Sequence, residues 1–270
     1  MMVNGPLITI VTVNYITSDF INLMLYAFEN LTRNKYRVII CDNYSSDEEV
    51  KKILKVAHNF DNVELIFREQ TKVGSIGHAE ALDLLISKVT TPYFVTMDSD
   101  AVFLLKDWDE ILINKLIGSV KLIGSSVPLS SRNSKVKDFP HAYSVMYETK
   151  AYKGLNVSFL PKDVRNPSQD TGWELRQKYL SSDYSGYVFE TISTRDNVKT
   201  VFNRIYCTVY YLDSKLIASH FGRGGSGGSP KYHTKLIYKI PLISKYIRRY
   251  MGLRSKKKWI EMCYMIISGK

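Results

Sequence analysis

The feature that most restricts the fold of this chain is an alternation of short apolar runs with amphipathic stretches over its first hundred residues. The apolar runs are rich in β-branched residues and predict buried strands, which cover residues 7–13, 37–41, 63–67 and 93–97. The stretches between them carry apolar residues at helical spacing and predict helices at residues 18–31, 46–58 and 76–88. This order of elements is typical of the α/β class, with a mostly parallel central sheet flanked by helices.

Three predicted helices begin with residues that are typical of N-caps. Ser18 and Asp107 are expected to cap helices that end near residues 31 and 116. Ser46 and Glu49 have the spacing of a capping box, in which each residue binds the other's backbone N–H. These signals set the expected helix starts.

The regular alternation fades in the second half of the chain. Residues 125–170 contain four prolines and predict a loop-rich region, whereas residues 172–179 favour a helix. Residues 201–212 predict one or two strands, and residues 222–229 are rich in glycine. The second half therefore constrains the fold less than the first.

Polar residues follow three of the predicted strands, at the point where each strand ends. They are Asn14, residues 42–45 and residues 98–100. Ligands on sheets of this kind bind at the carboxyl ends of the strands. The sequence therefore predicts a binding site at this edge of the sheet.

The sharpest motif is Asp98-Ser99-Asp100, directly after an apolar strand. Two carboxylates one residue apart offer hard oxygen ligands for Mg²⁺ or Mn²⁺, and such an ion neutralises the charge of a departing diphosphate. The alternative is a solvated turn, because this tripeptide is common. The strand before it favours the metal site.

Four segments in this order resemble the inverting family 2 glycosyltransferases of the GT-A fold. They are IVTVNY at 10–15, VIICDNYSSD at 38–47, GSIGHAEAL at 74–82 and DSD at 98–100. The resemblance implies a GT-A domain over residues 1–229 and transfer, with inversion, from a UDP- or dTDP-sugar to a glycan or lipid-linked acceptor. Residues 1–120 would form the nucleotide-sugar-binding half and residues 121–229 the acceptor-binding half.

The resemblance also implies roles for residues at the strand ends. Asn14 and Asp42 would lie at the base or ribose, with Ser45 close by. The alternative for residues 42–47 is an Asx turn followed by a helix cap. Asp98 and Ser99 would bind the donor, with Asp98 toward the ribose or metal, and Asp100 would be the direct metal ligand.

The glycine-containing turn before the third helix offers two further donor-binding candidates. Gly77 would let the backbone approach the nucleotide, and Lys72 would contact phosphate. The alternative for Lys72 is a solvated side chain. His78 is either a ligand or a structural residue at the start of the helix.

The acceptor side of an inverting reaction needs a general base. The segment DTGWEL at 170–175 resembles the acidic motif that supplies this base in the family, which points to Asp170 first and Glu174 second. The alternative for Asp170 is an N-cap of the following helix.

His220 resembles the late histidine that completes the metal site in several GT-A enzymes. One imidazole with two carboxylates suits Mn²⁺ better than Mg²⁺. Arg223 beside it would face the diphosphate. Residues 222–227 also satisfy G-x-G-x-x-G, but they do not follow the first strand, so a dinucleotide site is rejected. A loop closing over the donor and a plain linker both stay open.

The net charge of +11 is concentrated in the C-terminal residues. From Lys231 onward there are eleven basic residues against Glu261, so these residues carry +10 and residues 1–230 only +1. Apolar residues at helical spacing run through the same segment, which predicts a basic amphipathic extension over residues 230–270; they are Leu236, Ile240, Ile243, Ile247 and Met251. An anionic membrane surface would bind residues 231–258. A helix packed on the body of the protein is the alternative, and no nucleic-acid partner is expected.

The compartment follows from cysteine usage and hydropathy. Three widely spaced cysteines without a CxxC motif suit a reducing compartment. The sequence contains no run of about 18 consecutive apolar residues, so no membrane-spanning helix is predicted. A cytoplasmic protein is expected, held at the inner face of the membrane if the basic extension binds there.

Two other functions remain in view. A sugar nucleotidyltransferase would need a glycine-rich basic loop directly after the first strand, and residues 14–18 lack one. A non-catalytic protein that binds sugar nucleotides or glycans at a membrane would keep the fold without a working base.

Overall fold

The structure, a computed structural model, describes residues 5–70, 72, 74–130, 135–141, 143–196, 198–232 and 241–270. The α-helices among them are α1 Ser18–Leu31, α2 Asp47–Ala57, α3 Ser75–Ser87, α4 Trp108–Ile113, α5 Thr149–Gly154, α6 Leu175–Leu180 and α7 Pro241–Ile267. The strands are β1 Ile8–Asn14, β2 Tyr36–Asn43, β3 Val63–Arg68, β4 Tyr93–Asp98, β5 Ala101–Phe103, β6 Val120–Gly124, β7 Ser144–Glu148, β8 Ser185–Val188, β9 Glu190–Ser193, β10 Thr208–Leu212 and β11 Lys215–His220.

Seven strands form the main sheet, in the order β3-β2-β1-β4-β7-β6-β8. The pairs β2–β3, β1–β2, β1–β4 and β6–β8 are parallel. Only β7 runs against its neighbours β4 and β6. A smaller antiparallel sheet has the order β5-β11-β10-β9. The predicted α/β class, with a mostly parallel sheet flanked by helices, is confirmed.

The central strand β1 is buried along its whole length, because helices cover both faces of the sheet. Ile8 and Ile10 belong to the core that contains the apolar face of α1. Val11 and Val13 belong to the core on the other face, with α3. Alternate side chains of one strand thus support two layers of helices, and this fixes the strand register.

The first helices begin differently from the prediction. The N-cap of α1 is Thr17 rather than Ser18, and neither Ser46 nor Asp107 makes a side-chain cap bond. The predicted capping box is wrong because Glu49 binds another helix: its Oε1 accepts the backbone N–H of Ser18 at 2.6 Å. The N-terminus of α1 therefore uses the carboxylate that α2 was expected to keep.

The second half is more ordered than predicted. Residues 125–170, expected to be irregular, contain β7 and α5. The strand β7 forms because it pairs with β4 along that strand's free edge, from Tyr93↔Glu148 to Met97↔Ser144. Residues 201–212 contain only the strand β10, and the helix expected at residues 172–179 is the shorter α6.

The last helix packs on the body of the protein through a face that the apolar spacing did not indicate. Of the predicted stripe, Leu236 and Ile240 lie outside the described residues, as does the side chain of Ile243. The other two members of the stripe are largely solvent-exposed: Ile247 is 39% and Met251 36% exposed. Among the residues of α7 from 244 onward, whose burial is described, the buried ones are Ser244, Gly252, Ser255, Trp259 and Cys263.

Trp259 joins α7 to the main core. Its ring lies 5.7 Å from that of Phe20 and 5.8 Å from that of Phe221, and its Nε1 donates to Ser219 Oγ at 3.0 Å. One side chain thus contacts α1, β11 and the residue after β11. No helix within the described residues is long and apolar enough to span a membrane.

Replacing Trp259 tests how far α7 stabilises the body. We expect Trp259→Ala to lower the free energy of unfolding by about 3–5 kcal/mol, because it opens a cavity and leaves Ser219 without its donor. Denaturant unfolding of the full chain measures this. Tyr250→Ala, on the exposed face of the same helix, should change it by no more than about 0.5 kcal/mol. Equal effects of the two changes would contradict the packing described.

Candidate functional site

The carboxyl ends of the parallel strands surround a cavity of about 430 Å³. Four residues singled out from the sequence line it: Asp98, Ser99, Asp100 and Arg223. It is also lined by Tyr15, Thr17, Asn43 and Gln70, which are not among the predicted ligands, and by His78, for which the sequence leaves a ligand role and a structural role equally open. The predicted edge of the sheet therefore carries an open site.

A cluster of two carboxylates and one imidazole lies at this cavity. Asp98 ends β4, and His220 ends β11, which pairs with β5 so that His220 lies opposite Ala101. His220 Nε2 is 3.0 Å from Asp100 Oδ1 and 3.6 Å from Asp98 Oδ2. The antiparallel pairing of β5 with β11 thus brings together residues that are 120 positions apart in sequence.

The cluster has the chemistry of a divalent-metal site. One ligand atom from each of Asp98, Asp100 and His220 can be chosen so that all lie within 4.8 Å of one another. Two carboxylate oxygens and one imidazole nitrogen form a donor set that suits Mn²⁺ better than Mg²⁺. The residues present fit the ion that the sequence predicts.

The two carboxylates of the cluster have pKa values that are shifted in opposite directions. Burial raises the pKa of Asp98 above its usual value, although His220 opposes the shift. Burial alone would also raise the pKa of Asp100, but the charge and hydrogen bond of His220 and the N–H of Gly224 outweigh it, so this pKa is lowered. For His220, burial lowers the pKa, and Asp100 with Asp98 more than offsets that, so the pKa is raised. A positive charge in this cluster is therefore stabilised.

Asn14 and Asp42 bind each other beneath the cavity. Asn14 Nδ2 donates to Asp42 Oδ2 at 2.7 Å, and Asn14 Oδ1 accepts the backbone N–H of Thr17 at 3.1 Å. The other oxygen of Asp42 accepts the N–H of Ser45 at 2.9 Å, and Ser45 Oγ accepts the N–H of Ile16 at 3.2 Å. These contacts set the shape of the loops after β1 and β2.

Ser99 connects the loop after β1 to the acidic motif. Thr17 Oγ1 donates to Asn14 Oδ1 at 2.8 Å and lies 2.9 Å from Ser99 Oγ, whose own hydroxyl can donate to it. On the other side of the motif, His78 Nε2 lies 3.8 Å from Asp98 Oδ1. The start of α3 therefore also faces the cluster.

Gly77 is needed for close packing within the protein. A Cβ at this position would lie 2.1 Å from the carbonyl oxygen of Lys72, so a larger residue would displace the backbone. The carbonyl of Gly77 accepts hydrogen bonds from Asn43 Nδ2 and Arg68 Nη1. Lys72 is exposed, and its Nζ lies 3.7 Å from Glu80 Oε1. Gly77 thereby holds the start of α3 against the end of β2.

Asp170 and Glu174 have different surroundings. Asp170 Oδ2 lies 3.7 Å from Lys135 Nζ. Burial would raise the pKa of Asp170, but hydrogen bonds from Ser75 and Thr171 and the charge of Lys135 lower it. Glu174 Oε1 instead accepts the backbone N–H of Ser158 at 2.8 Å and lies 3.1 Å from Lys178 Nζ. Only Asp170 keeps its carboxylate next to α3 and Lys135.

The alternative considered for Asp170, an N-cap of the following helix, is not observed. The helix α6 begins at Leu175, and its N-cap is Glu174, which makes no side-chain cap bond. Asp170 instead follows a short 3-10 turn, Pro167–Gln169.

Lys135 and Tyr143 are site residues that the sequence did not reveal. Lys135 Nζ donates to Tyr143 OH at 3.3 Å; its charge opposes the rise in the pKa of Asp98 and helps to lower the pKa of Asp170. The Tyr143 ring stacks on His220 with 5.0 Å between centroids, and its carbonyl accepts the N–H of Asp98 at 2.9 Å. Both residues lie in the segment read as loop, where no periodic pattern marks them.

The glycine-rich segment after β11 closes one side of the cluster. Gly224 N–H donates to Asp100 Oδ2 at 2.7 Å, and a Cβ at Gly224 would lie 2.7 Å from Asp100 Cβ. Arg223 before it has a left-handed backbone, with φ of 63°. The segment itself rests on α7, because a Cβ at Gly252 would lie 2.4 Å from the carbonyl oxygen of Gly227. The segment therefore contacts both the cluster and the last helix.

Comparison with known proteins identifies the family. The family model of glycosyl transferase family 2 matches residues 8–177, which is more than half of the chain. The protein therefore belongs to glycosyl transferase family 2. A search of curated protein sequences finds no match.

Solved structures show the same GT-A fold. The mannosyltransferase PcManGT from Pyrobaculum calidifontis, in complex with GDP-Man and Mn²⁺, is 19% identical with a TM-score of 0.53; the match covers 69% of this chain and 55% of that one. S. aureus TarS 1–349 in complex with UDP-GlcNAc is 12% identical with a TM-score of 0.50, and the match covers 78% of this chain and 57% of the TarS 1–349 chain. The matches thus span a little over half the length of each of these two chains.

Lys231 anchors the segment that leads to α7. Its Nζ donates to the carbonyl oxygens of Tyr206, at 2.7 Å, and of Phe221. Burial lowers the pKa of this lysine from 10.5 to about 7, despite the opposing charge of Asp100.

This shift predicts a pH dependence of stability. Between about pH 7 and pH 10.5 the unfolded chain holds a proton on Lys231 that the folded chain lacks, so raising the pH favours the folded state. We expect the stability of the wild type relative to Lys231→Met to increase across this window. Denaturant unfolding of both proteins at several pH values measures it. A difference that stays constant with pH would contradict the prediction.

Proposed function

We propose that this protein is a metal-dependent glycosyltransferase that transfers a sugar from a UDP- or dTDP-sugar to a glycan or lipid-linked acceptor, with inversion. The observation that carries the proposal is the cluster of Asp98, Asp100 and His220 at the open edge of the sheet. It is supported by the match to glycosyl transferase family 2. Residues 1–120 would hold the donor and residues 121–229 the acceptor.

Asp98, Asp100 and His220 would hold the ion, Mn²⁺ in preference to Mg²⁺. When bound, the ion supplies positive charge to the diphosphate as it leaves. Asp98 and Ser99 would also bind the donor, and Arg223 lies in the same cavity, where its guanidinium can pair with phosphate oxygens. Solved structures of the same fold hold GDP-Man with Mn²⁺ in one case and UDP-GlcNAc in another, which supports a nucleotide-sugar donor.

The nucleoside would lie over the loops after β1 and β2. Asn14, Asp42 and Ser45 form the hydrogen-bonded base of these loops, so their effect on the nucleoside includes holding the loops in place. Tyr15 is 46% exposed and lines the cavity, where its ring offers a flat surface to a base. Gly77 and Lys72 would complete the donor site beside α3.

Asp170 would act as the general base. Its lowered pKa keeps the carboxylate ionised near neutral pH, as a proton acceptor requires. The acceptor hydroxyl oxygen attacks the anomeric carbon while its proton passes to Asp170. The bond from that carbon to the diphosphate oxygen breaks, and the nucleoside diphosphate leaves with the electron pair. Glu174 is the second candidate for this role.

The basic residues 231–258 would place the enzyme on the inner face of a membrane, where lipid-linked acceptors are found. The described part of this segment is rich in exposed lysines and arginines. Their attraction to anionic lipid supports this location.

The donor site is tested by thermal shifts with UDP, dTDP and GDP compounds, with and without Mn²⁺. At a ligand concentration about one hundred times Kd, binding stabilises the folded state by about 2.7 kcal/mol, which raises the Tm by about 5–10 °C for a chain of this size. We expect this rise to need Mn²⁺ and to disappear in Asp100→Asn. Asp213→Asn, an exposed carboxylate paired with Lys115, is the matched control and should keep the rise. The absence of a shift with every nucleotide would overturn the donor site.

The general base is tested by comparing Asp170→Asn with Glu174→Gln. We expect Asp170→Asn to lower the turnover number by about 10²–10⁴-fold and to leave the Mn²⁺-dependent thermal shift unchanged. Glu174→Gln should lower stability, because Glu174 holds the N–H of Ser158, and should change turnover less than tenfold. Initial rates of sugar transfer or donor hydrolysis measure both effects. The reverse order of rates would assign the base to Glu174. Donor binding without any transfer or hydrolysis by the wild type would favour a binding protein.

A further inference from the structure

A second and larger concave surface lies away from the acid–histidine cluster. The helices α1, α2 and α7 surround an open groove of about 740 Å³. Four lysines line it: Lys52, Lys55, Lys256 and Lys257. Between them the lining is apolar, from Val56, Leu253 and Ile260 with the ring of Tyr264. The groove thus combines cationic groups with a hydrocarbon surface.

The ion pairs around the groove leave it positive. Lys256 Nζ lies 2.9 Å from Asp19 Oδ2, and Lys257 Nζ lies 3.9 Å from Glu261 Oε1. Lys52 Nζ lies 2.9 Å from Glu48 Oε1, which does not line the groove. The residues that line the groove include four lysines but only two acids, Asp19 and Glu261. Within the described part of the chain, Lys55 takes part in no ion pair. The side chain of Lys257 is 80% exposed, so its charge is also available to a ligand.

An exposed stripe on α7 leads into this groove. It consists of Tyr246, Tyr250, Leu253 and Lys257, whose spacing of four, three and four residues places them on one face of the helix. The first three are 73%, 64% and 49% exposed. Leu253 and Lys257 also line the groove, so the stripe and the groove form one continuous surface.

The residues beside the stripe favour an anionic, amphipathic partner. Arg249, Arg254 and Lys258 are exposed on the same helix, and Glu261 is the one acidic residue of α7. Tyrosine rings and leucine next to lysine and arginine suit the headgroup region of a bilayer, where the rings and stems contact hydrocarbon and the charges meet phosphate. A nucleic acid would match the charge but not the aliphatic groove.

We propose that the stripe and the groove form a binding site for an anionic phospholipid in a membrane surface. The lipid phosphate would lie among the lysines of the groove, and an acyl chain would lie on Val56, Leu253 and Ile260. Tyr246 and Tyr250 would insert at the headgroup level. This site deepens the membrane association proposed above and rests on it.

The location of this surface connects it to the proposed transfer site. Leu253 Cδ2 lies 3.4 Å from the position of a Cβ on Gly227, and Gly252 packs on the same segment. That segment also supplies the N–H that binds Asp100. A bilayer on the stripe would therefore lie beside the cluster, where a lipid-linked acceptor needs to arrive.

The site is tested by vesicle flotation of the full chain, without nucleotide or metal. Vesicles of phosphatidylcholine alone are compared with vesicles that also contain phosphatidylglycerol. We expect binding only to the anionic vesicles. Lys55→Gln with Lys257→Gln should weaken it about thirtyfold, which corresponds to about 1 kcal/mol for each basic residue. Tyr246→Ser with Tyr250→Ser should weaken it at constant charge.

Matched controls lie elsewhere on the surface. Lys150→Gln with Lys199→Gln removes the same charge from exposed positions outside the groove. Ile117→Ser with Leu129→Ser removes exposed apolar groups, which are 70% and 79% exposed. Both control proteins should bind anionic vesicles as the wild type does. Thermal melts confirm that every variant is folded.

Several outcomes would overturn the inference. They are equal binding to neutral vesicles, groove variants that bind as well as the controls, displacement from vesicles by free inorganic phosphate at constant ionic strength, and binding to single-stranded RNA in preference to vesicles. Asp100→Asn should bind vesicles like the wild type, since the surface does not include the cluster. Loss of vesicle binding with an intact Mn²⁺-dependent thermal shift removes the lipid site alone, whereas the opposite result removes the donor site alone.

Discussion

Two carboxylates one residue apart, both in a largely buried setting, need compensating contacts, and much of this structure supplies them. His220 reaches Asp100 because β11 pairs with β5, and Gly224 donates its N–H to the other oxygen of Asp100. The charge of Lys135, which contacts Tyr143, also acts on Asp98. The smaller sheet, the glycine-rich segment and the loop before β7 therefore all contribute groups that stabilise these two carboxylates. The cost of leaving those carboxylates without partners explains why three distant segments meet at the end of β4.

The first four strands and first three helices could be predicted because their signals are local. Each strand is a continuous β-branched run, and each helix repeats its apolar residues within a few turns. The strands β5 to β9 are three to five residues long, and a run of that length acquires its structure from a partner elsewhere. The same limit applies to the site. Asp98, Asp100 and His220 stand out by type and position, whereas Lys135 and Tyr143 reach the cluster only because β7 pairs with β4.

The last helix shows how a correct pattern can indicate the wrong face. Apolar spacing pointed to Ile243, Ile247 and Met251, but the buried face contains Gly252, Ser255 and Trp259. Small residues let α7 approach the glycine-rich segment closely, and one tryptophan then fills the remaining space. Hydrophobicity alone does not reveal which face of a helix meets a backbone at short range. The outward surface of α7 contains other residues, Tyr246, Tyr250 and Leu253, which are 73%, 64% and 49% exposed.

The contact between Gly252 and Gly227 has a consequence for how the protein is made. During translation the chain is made from its N-terminus, so Asp98, Asp100 and His220 are already part of the chain before α7 is synthesised. At that stage the segment that binds Asp100 has no helix to rest on, and Phe20 and Phe221 lack the ring of Trp259. A nascent chain thus carries all three candidate ligands without the support that sets their geometry. The geometry of the cluster therefore depends on contacts with a helix that is synthesised after all three candidate ligands.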